Sequence, residues 1–417
     1  MKNENSNHTP CNSTKNIFFN VNFSSDIFFP FFSYCKSRIF SHDEWQKYDH
    51  MYTYGFLNFI SNYGQLQAGP EFGYPVRPLG FIQQGFSSLF MMNDPWLSHS
   101  LEVLIHFFNV VAFYFLMKKL NFNSSLIITA LLIFIVSPLT ITSTAWSAAS
   151  FDRIYPLFCI LSVYFAVGIY SDSSAVSNYV GLFFFASCAS LSKETAVMLP
   201  VLIFFGFLMK SLSTKTFLQV ISSKEIYFVG LIVGTPFILY LSIRFPAILA
   251  TLNGASNPAY SPENSNLIRN LILYWAFPYT PNALEMHSMS LLPKAYILLG
   301  FLIHLGILVS TWVSFGLKKS LLYVALYFIF LLPVLSITNV GGHYLYAASP
   351  IASIVIASLW QHSYRSKKIL PFIFVVTIFV FSTYRFFQIQ KSFYDDGFCQ
   401  RAIITSIESQ LKSTYLD

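Results

Sequence analysis

Between Tyr179 and Met209 the chain reads YVGLFFFASCASLSKETAVMLPVLIFFGFLM, an apolar stretch broken at its centre by Ser192-Lys193-Glu194. The stretch is about ten residues longer than the ~20 that carry a helix once across a bilayer. The charged step therefore reads as a break between two short membrane segments. A Lys or an acid at mid-membrane costs roughly 2.5 to 3.5 kcal/mol on insertion scales, so a Lys-Glu step there is a candidate functional site. The competing reading is an ion pair that caps a helical hairpin.

Working outward, the rest of the chain has the same character. Of its 417 residues 54% are hydrophobic, 18% aromatic and only 10% charged, with a mean hydropathy of +0.55. That composition is far from the soluble average and predicts an all-α polytopic membrane protein. The net charge of +7 does not point to nucleic acid, because the basic residues recur as small clusters between apolar runs, as topology signals do. Five scattered cysteines lack metal-ligand or redox spacing. Residues 1–16 are polar, without the short apolar core and small-residue cleavage site of a secretory signal.

Apolar runs fall at 17–34, 99–117, 124–145, 151–170, 179–191, 195–209, 226–245, 294–316, 320–338, 347–361 and 369–387. They predict about 9 to 11 spans, the count depending on the first run and on whether 179–209 is a re-entrant hairpin. Threading from a cytoplasmic tail at 1–16 tests this map, because loop charges should then sort by side. Lys118, Lys119, Lys210, Lys215, Lys224, Lys318, Lys319, Arg365, Lys367 and Lys368 all land inside. The acid-bearing segments land outside: loops 41–98 and 246–293 within the membrane domain at 17–387, and a tail at 388–417. Residues 50–62 and 267–277, rich in Tyr, Phe, Leu and Ile, suit short interfacial helices.

Two groups on the outer side could carry chemistry. Asp43-Glu44 follows the first run beside Trp45, and a carboxylate held at the interface can act as general base toward a hydroxyl. The second group is basic: Arg77, Arg153, Lys193, Arg244, Arg269 and His343. Cations on the outer face run against the positive-inside bias, and an anionic headgroup would account for them. Arg forks suit phosphate oxygens, and Lys serves as a point charge. Pairing with Asp152 and Glu194 is the alternative, which leaves Arg77, Arg269 and His343 with no partner evident in the sequence. The chain has no P-loop and no dinucleotide fingerprint.

The order of these motifs resembles the membrane glycosyltransferases of the C superfamily, which take a sugar from a polyprenyl-phosphate carrier. The matching residues are the acidic pair, Arg77-Pro78-Leu79, Ser98-His99 with His106 and Asn109, and Ala145-Trp146 through Asp152-Arg153. Leu191-Ser192-Lys193-Glu194 and Gly342-His343-Tyr344-Leu345-Tyr346 complete the series. The likeness covers most of residues 41–360 and looks most like the phage-type serotype-converting O-antigen glucosyltransferases. The acidic pair departs from a two-aspartate motif, so Asp43 and Glu44 are both candidates for the base.

What the resemblance implies is a multi-pass protein of a bacterial inner membrane whose site faces the periplasm. It would move a hexose, glucose in that class, from undecaprenyl phosphate to lipid-linked O-antigen, with a flippase and a carrier-sugar synthase supplying the donor. Arg77, Arg153, Lys193, Arg269, His343 and Tyr344 would hold the donor phosphate, with Glu194, His106 and Tyr346 in support. No cofactor is expected, a divalent metal is left open by the departure from the two-aspartate motif, and the reaction would be a single displacement with inversion. The competing classes are a transporter of lipid-linked sugars, whose charges would line a path, and an O-antigen polymerase.

Overall fold

The computed structural model describes residues 42–60, 77–90, 95–171, 175–211, 224–252, 266–283, 286–338, 340–366, 372–392 and 406. About 90% of it is helical, and the described residues contain no strand. The predicted tail at 1–16, the first apolar run at 17–34 and nearly all of the tail at 388–417 lie outside the described residues.

Fourteen helices carry the argument. α1 (His42–Tyr54) and α2 (Pro78–Phe90) lie within the segment 41–98 that precedes the first of the long apolar helices described. α3 (Pro95–Lys119), α4 (Ser124–Ile135), α5 (Pro138–Ala145) and α6 (Phe151–Ser171) follow. Next come α7 (Val176–Ser190), α8 (Leu199–Ser211), α9 (Lys224–Leu252) and α10 (Asn266–Ala276). The bundle closes with α11 (Lys294–Phe315), α12 (Leu317–Phe328), α13 (Ser349–Ser366) and α14 (Phe372–Ser392).

Local sequence sets the breaks. α3 ends on Lys118 and Lys119, cations that complement the negative end of its dipole. The chain then reverses through Asn121 at φ 59°, and the Asn123 side chain accepts from the Leu126 amide at 3.0 Å to cap α4. Ser137 caps α5 in the same way at 3.2 Å, with Pro138 as its first residue. Since proline cannot donate to a preceding turn, α4 and α5 meet at a bend of 48°. Between α11 and α12 the whole turn is Gly316, at φ 88°, where a Cβ would be strained.

Seven helical segments are long and apolar enough to cross a membrane: Leu97–Lys119, Phe151–Ser171, Ile226–Phe245, Lys294–Phe315, Leu317–Val334, Gly342–Ser366 and Phe372–Ser392. The bent α4–α5 pair makes eight. The expected 9 to 11 is not reached among the described residues: the first run, 17–34, lies outside them, and the two runs within 179–209 form helices too short to count. There α7 has 15 residues and α8 has 13. Neither reaches the ~20 of a full span. Between them Lys193 is extended, at φ −161° and ψ 144°, and residues Glu194–Met198 form a 3-10 turn.

Three packed clusters hold the bundle. The largest joins α3 to α6 with α10 to α14 around Phe113, Phe134, Tyr274, Trp275, Tyr327 and Tyr346. A second packs α6 to α9 about Leu182, Ala186, Leu199 and Phe237. A third, Met51, Phe59, Phe81 and Phe151, fastens α1 and α2 to the head of α6. α10 falls on the predicted interfacial stretch 267–277. It turns Asn270 inward, where the side chain donates to the carbonyls of Leu335 at 2.8 Å and Ile337 at 2.7 Å. Leu267, Ile268, Leu271 and Ile272 stay exposed, an arrangement suited to an apolar surround.

Candidate functional site

The site forms where helix ends converge: the start of α2, the α5–α6 junction, the α7–α8 break, the far end of α9 and the 3-10 segment Gly342–Ala348. Backbone ties bring these pieces together. The Leu79 amide donates to the Leu191 carbonyl at 3.3 Å, which joins Arg77-Pro78-Leu79 to the Lys193-Glu194 break. Ser143 Oγ donates to the His343 carbonyl at 2.9 Å, which joins α5 to the Gly342 segment. A close approach of α2 to α6 requires Gly80, because a Cβ there would lie 1.9 Å from the Phe151 ring.

Charges alternate through this junction. The Arg77 fork grips Glu194, with Nε 2.7 Å from Oε2 and a second bond to Oε1, while its guanidinium carbon stands 5.0 Å from the centre of the Phe151 ring. Arg244 approaches the same carboxylate at 3.8 Å and donates to Tyr240 Oη at 3.1 Å. Lys193 Nζ bonds Asp152 Oδ1 at 2.5 Å and lies 4.3 Å from the centre of the Tyr344 ring. The other oxygen of Asp152 is 4.0 Å from His343 Nε2. The His343 ring in turn meets Trp146 edge-on at 5.2 Å and Tyr344 at 4.2 Å.

One step deeper, Arg153 is ion-paired with Glu102, and their side chains are 0% and 1% exposed. Glu102 also accepts from Gln83 Nε2 and Ser87 Oγ, both at 2.7 Å. Arg153 donates to the Trp146 carbonyl at 3.3 Å, and its own carbonyl receives Asn109 Nδ2 at 2.9 Å. Next to this layer His106 Nδ1 pairs with Tyr346 Oη at 2.6 Å against Phe134.

Four cations (Arg77, Arg153, Lys193 and Arg244) thus face three carboxylates (Glu102, Asp152 and Glu194) in these pairs. Among the described residues these pairs leave one positive charge in surplus. It is reachable from outside only in part: the side chains of Arg77, Arg244 and His343 are 21%, 18% and 16% exposed, against 4% for Lys193. Two groups outside the seven spans show how the pairs tune each other. Burial would raise Glu194, yet Arg77, Arg244 and Lys193 outweigh it and carry the carboxyl down to about 2. Burial holds the Lys193 ammonium below its ordinary value, with Asp152 pulling it part of the way back.

Of the residues singled out in the sequence, Arg77, Lys193, Glu194, His343 and Tyr344 come together here. Arg153 lies just behind them and is enclosed. His106 and Tyr346 form a buried pair further in, and Arg269 donates instead to the Thr338 carbonyl at 3.3 Å, at an exposed position. Arg77 and His343, for which the sequence offers no evident partner, stand beside Glu194 and Asp152. The backbone of Asp43 and Glu44 belongs to α1, while their side chains fall outside the described residues.

Sequence reasoning passed over Glu102, although an acid inside an apolar run is itself a signal. Among the described residues no three His, Cys, Asp or Glu side chains converge as a metal site would require. Comparison with protein-family models, curated proteins and solved structures finds no match to this chain.

Proposed function

We propose that this protein is a membrane glycosyltransferase that takes a hexose from a polyprenyl-phosphate carrier and passes it to a lipid-linked glycan, an O-antigen in the first instance. The observation that carries the reading is the gathering of Arg77, Arg244, Lys193, His343 and Tyr344 from four separate segments at one end of the spans. A phosphodiester donor needs positive charge on its leaving phosphate more than it needs an acid. Arg77 and Arg244, partly exposed and surplus to Glu194, would meet the phosphate oxygens, and Lys193 would supply field from behind Asp152.

The acceptor hydroxyl needs a base. Glu194 is unsuited, because a carboxyl held at about 2 by two guanidiniums has little affinity for a proton. Asp43 and Glu44 remain the candidates. Their helix, α1, packs on α2 and touches the turn Ser147–Ala149, and Met51 near its end is in the cluster that includes Phe151. In this reading α1 carries the base alongside the cationic cluster, and attack at the anomeric carbon proceeds with inversion as the phosphate departs.

The test is transfer by purified protein from a synthetic polyprenyl-phosphate hexose, read as product formed and as anomeric configuration. Arg77→Gln should raise the donor concentration needed for half-maximal rate by about tenfold, the loss of one charge-assisted contact. Glu44→Gln or Asp43→Asn should abolish the rate with donor binding kept. A folded Arg77→Gln protein with unchanged donor dependence, or retention at the anomeric carbon, would overturn the scheme.

A further inference from the structure

At the other end of the bundle a cavity of about 450 Å³ opens between α4, the end of α11 and the last turns of α13. The helical segment Gly342–Ser366 carries His343 at one end and Arg365 at the other, so the cavity and the cationic site are separated by roughly 35 Å of helix. Among the described residues the cavity is lined by Leu126, Phe315, Ser358, Gln361, His362, Arg365 and Ser366, none of them a carboxylate. Its volume falls within the roughly 300 to 1,000 Å³ of small-molecule sites.

The walls are braced. Gln361 and Asn123 exchange two side-chain hydrogen bonds, at 2.8 and 3.2 Å, while Asn123 also caps α4. Phe315 meets the His362 ring edge-on at 5.4 Å, and Lys319 Nζ stands 5.4 Å from the centre of the same Phe315 ring. Arg365, His362 and Ser358 line the volume, while Gln361 and Ser366 donate within the protein, to Asn123 Oδ1 and the Ser363 carbonyl, and a further cation stands at the margin. Apolar ring and polar fork side by side suit a ligand with an anionic head and acyl tails, and a bare ion would use only the polar part. The level is that of Lys118, Lys119, Lys318 and Lys319, where anionic headgroups concentrate against a basic protein rim.

We propose that this cavity binds the phosphate headgroup of an anionic phospholipid, such as phosphatidylglycerol, from the leaflet at this end of the bundle. The guanidinium of Arg365 takes the phosphate oxygens, His362 and Ser358 take the glycerol hydroxyls, and Phe315 lies along the first acyl carbons. The site is independent of the glycosyl-transfer reading and uses none of its residues.

The test uses the full-length protein in detergent, incubated with equal amounts of phosphatidylglycerol and phosphatidylcholine, and the retained lipid counted by native mass spectrometry. Phosphatidylglycerol should be retained in preference, and Arg365→Gln should cut that preference by roughly fivefold to tenfold, as one cation near a headgroup provides. Ser358→Phe, which fills the cavity without altering charge, should do the same, and Lys294→Gln, an exposed cation at the opposite end, should not. Equal retention of the two lipids, or full retention by both cavity variants, would overturn the proposal. Displacement of phosphatidylglycerol by inorganic phosphate alone would also overturn it, by assigning the site to the free ion.

Discussion

Glu102 and Arg153 are the most enclosed charges in the junction, and their energetics differ from those of the partly exposed pairs around them. Breaking a buried pair by removing one member typically costs about 3 to 5 kcal/mol, because the other charge is left uncompensated, whereas replacing both can be neutral. Glu102→Gln should therefore lower thermal stability markedly and reduce the amount of folded protein. Glu102→Met combined with Arg153→Leu should recover most of that loss, measured by unfolding in detergent. A single variant as stable as the parent would show that Arg153 finds compensation elsewhere.

Glu194 behaves differently, being 36% exposed. Its carboxyl is depressed to about 2 from 4.5, so the stabilisation from its pair with Arg77 is fully present above pH 4.5 and is lost as pH falls toward 2. Thermal stability should show this acid-side loss in the parent and not in Glu194→Gln. An identical pH profile for the two would mean that the pair contributes nothing to folding.

At the scale of elements, the approach of α2 to α6 is what brings Arg77 to Glu194. Gly80 permits it, and Phe151 is the ring that a Cβ there would strike. Gly80→Ala should destabilise by roughly 1 to 3 kcal/mol, the usual cost of overpacking, and should weaken donor use along with stability. Gly230→Ala, where nothing lies within 4 Å, is the control that should leave both unchanged.

Elements are also where sequence reading succeeds and falls short. Each apolar run from 99 onward finds a helix, because hydrophobic length is a property of the chain itself. The run at 179–209 is legible as two short segments broken at Lys193, and the helix lengths of 15 and 13 residues in the fold decide that neither is a full span. Sequence alone names Asp152 and Glu194 as possible partners of the outer cations but cannot say which cation takes which acid. The Lys193 bond to Asp152 bridges 41 positions, and the Arg77–Glu194 pair bridges 117. Glu102 was legible in principle, as an acid in a span, but its partner on α6 was not. The exposed placement of Arg269 depends on how α10 turns Asn270 inward, and nothing in residues 267–277 announces which face that is.

Over the whole molecule, the two ends of the bundle differ in chemistry. One end collects Arg77, Lys193, Arg244 and His343 in paired form, and the other bears Lys118, Lys119, Lys318, Lys319 and Arg365 on short connections. In the proposed reading the positive-inside bias puts the second end in the cytoplasm, and the orientation is testable. Cysteine introduced at Leu291, 86% exposed near the first end, should react with a membrane-impermeant thiol reagent added outside intact cells. Cysteine at Tyr364, 71% exposed near the second, should react only after permeabilisation. The reverse pattern would invert the orientation and place the cationic site on the side where nucleotide sugars, not carrier-linked ones, are available.

The most direct measurement is mass and linkage analysis of lipopolysaccharide O-antigen from a host that supplies polyprenyl-phosphate glucose and expresses this chain, beside hosts expressing Glu44→Gln and Asp43→Asn. The account predicts a new hexose branch with the parent chain and its loss with one of the two variants, which then identifies the base. An O-antigen unchanged by the parent chain, with the protein inserted and the donor present, would contradict the assignment.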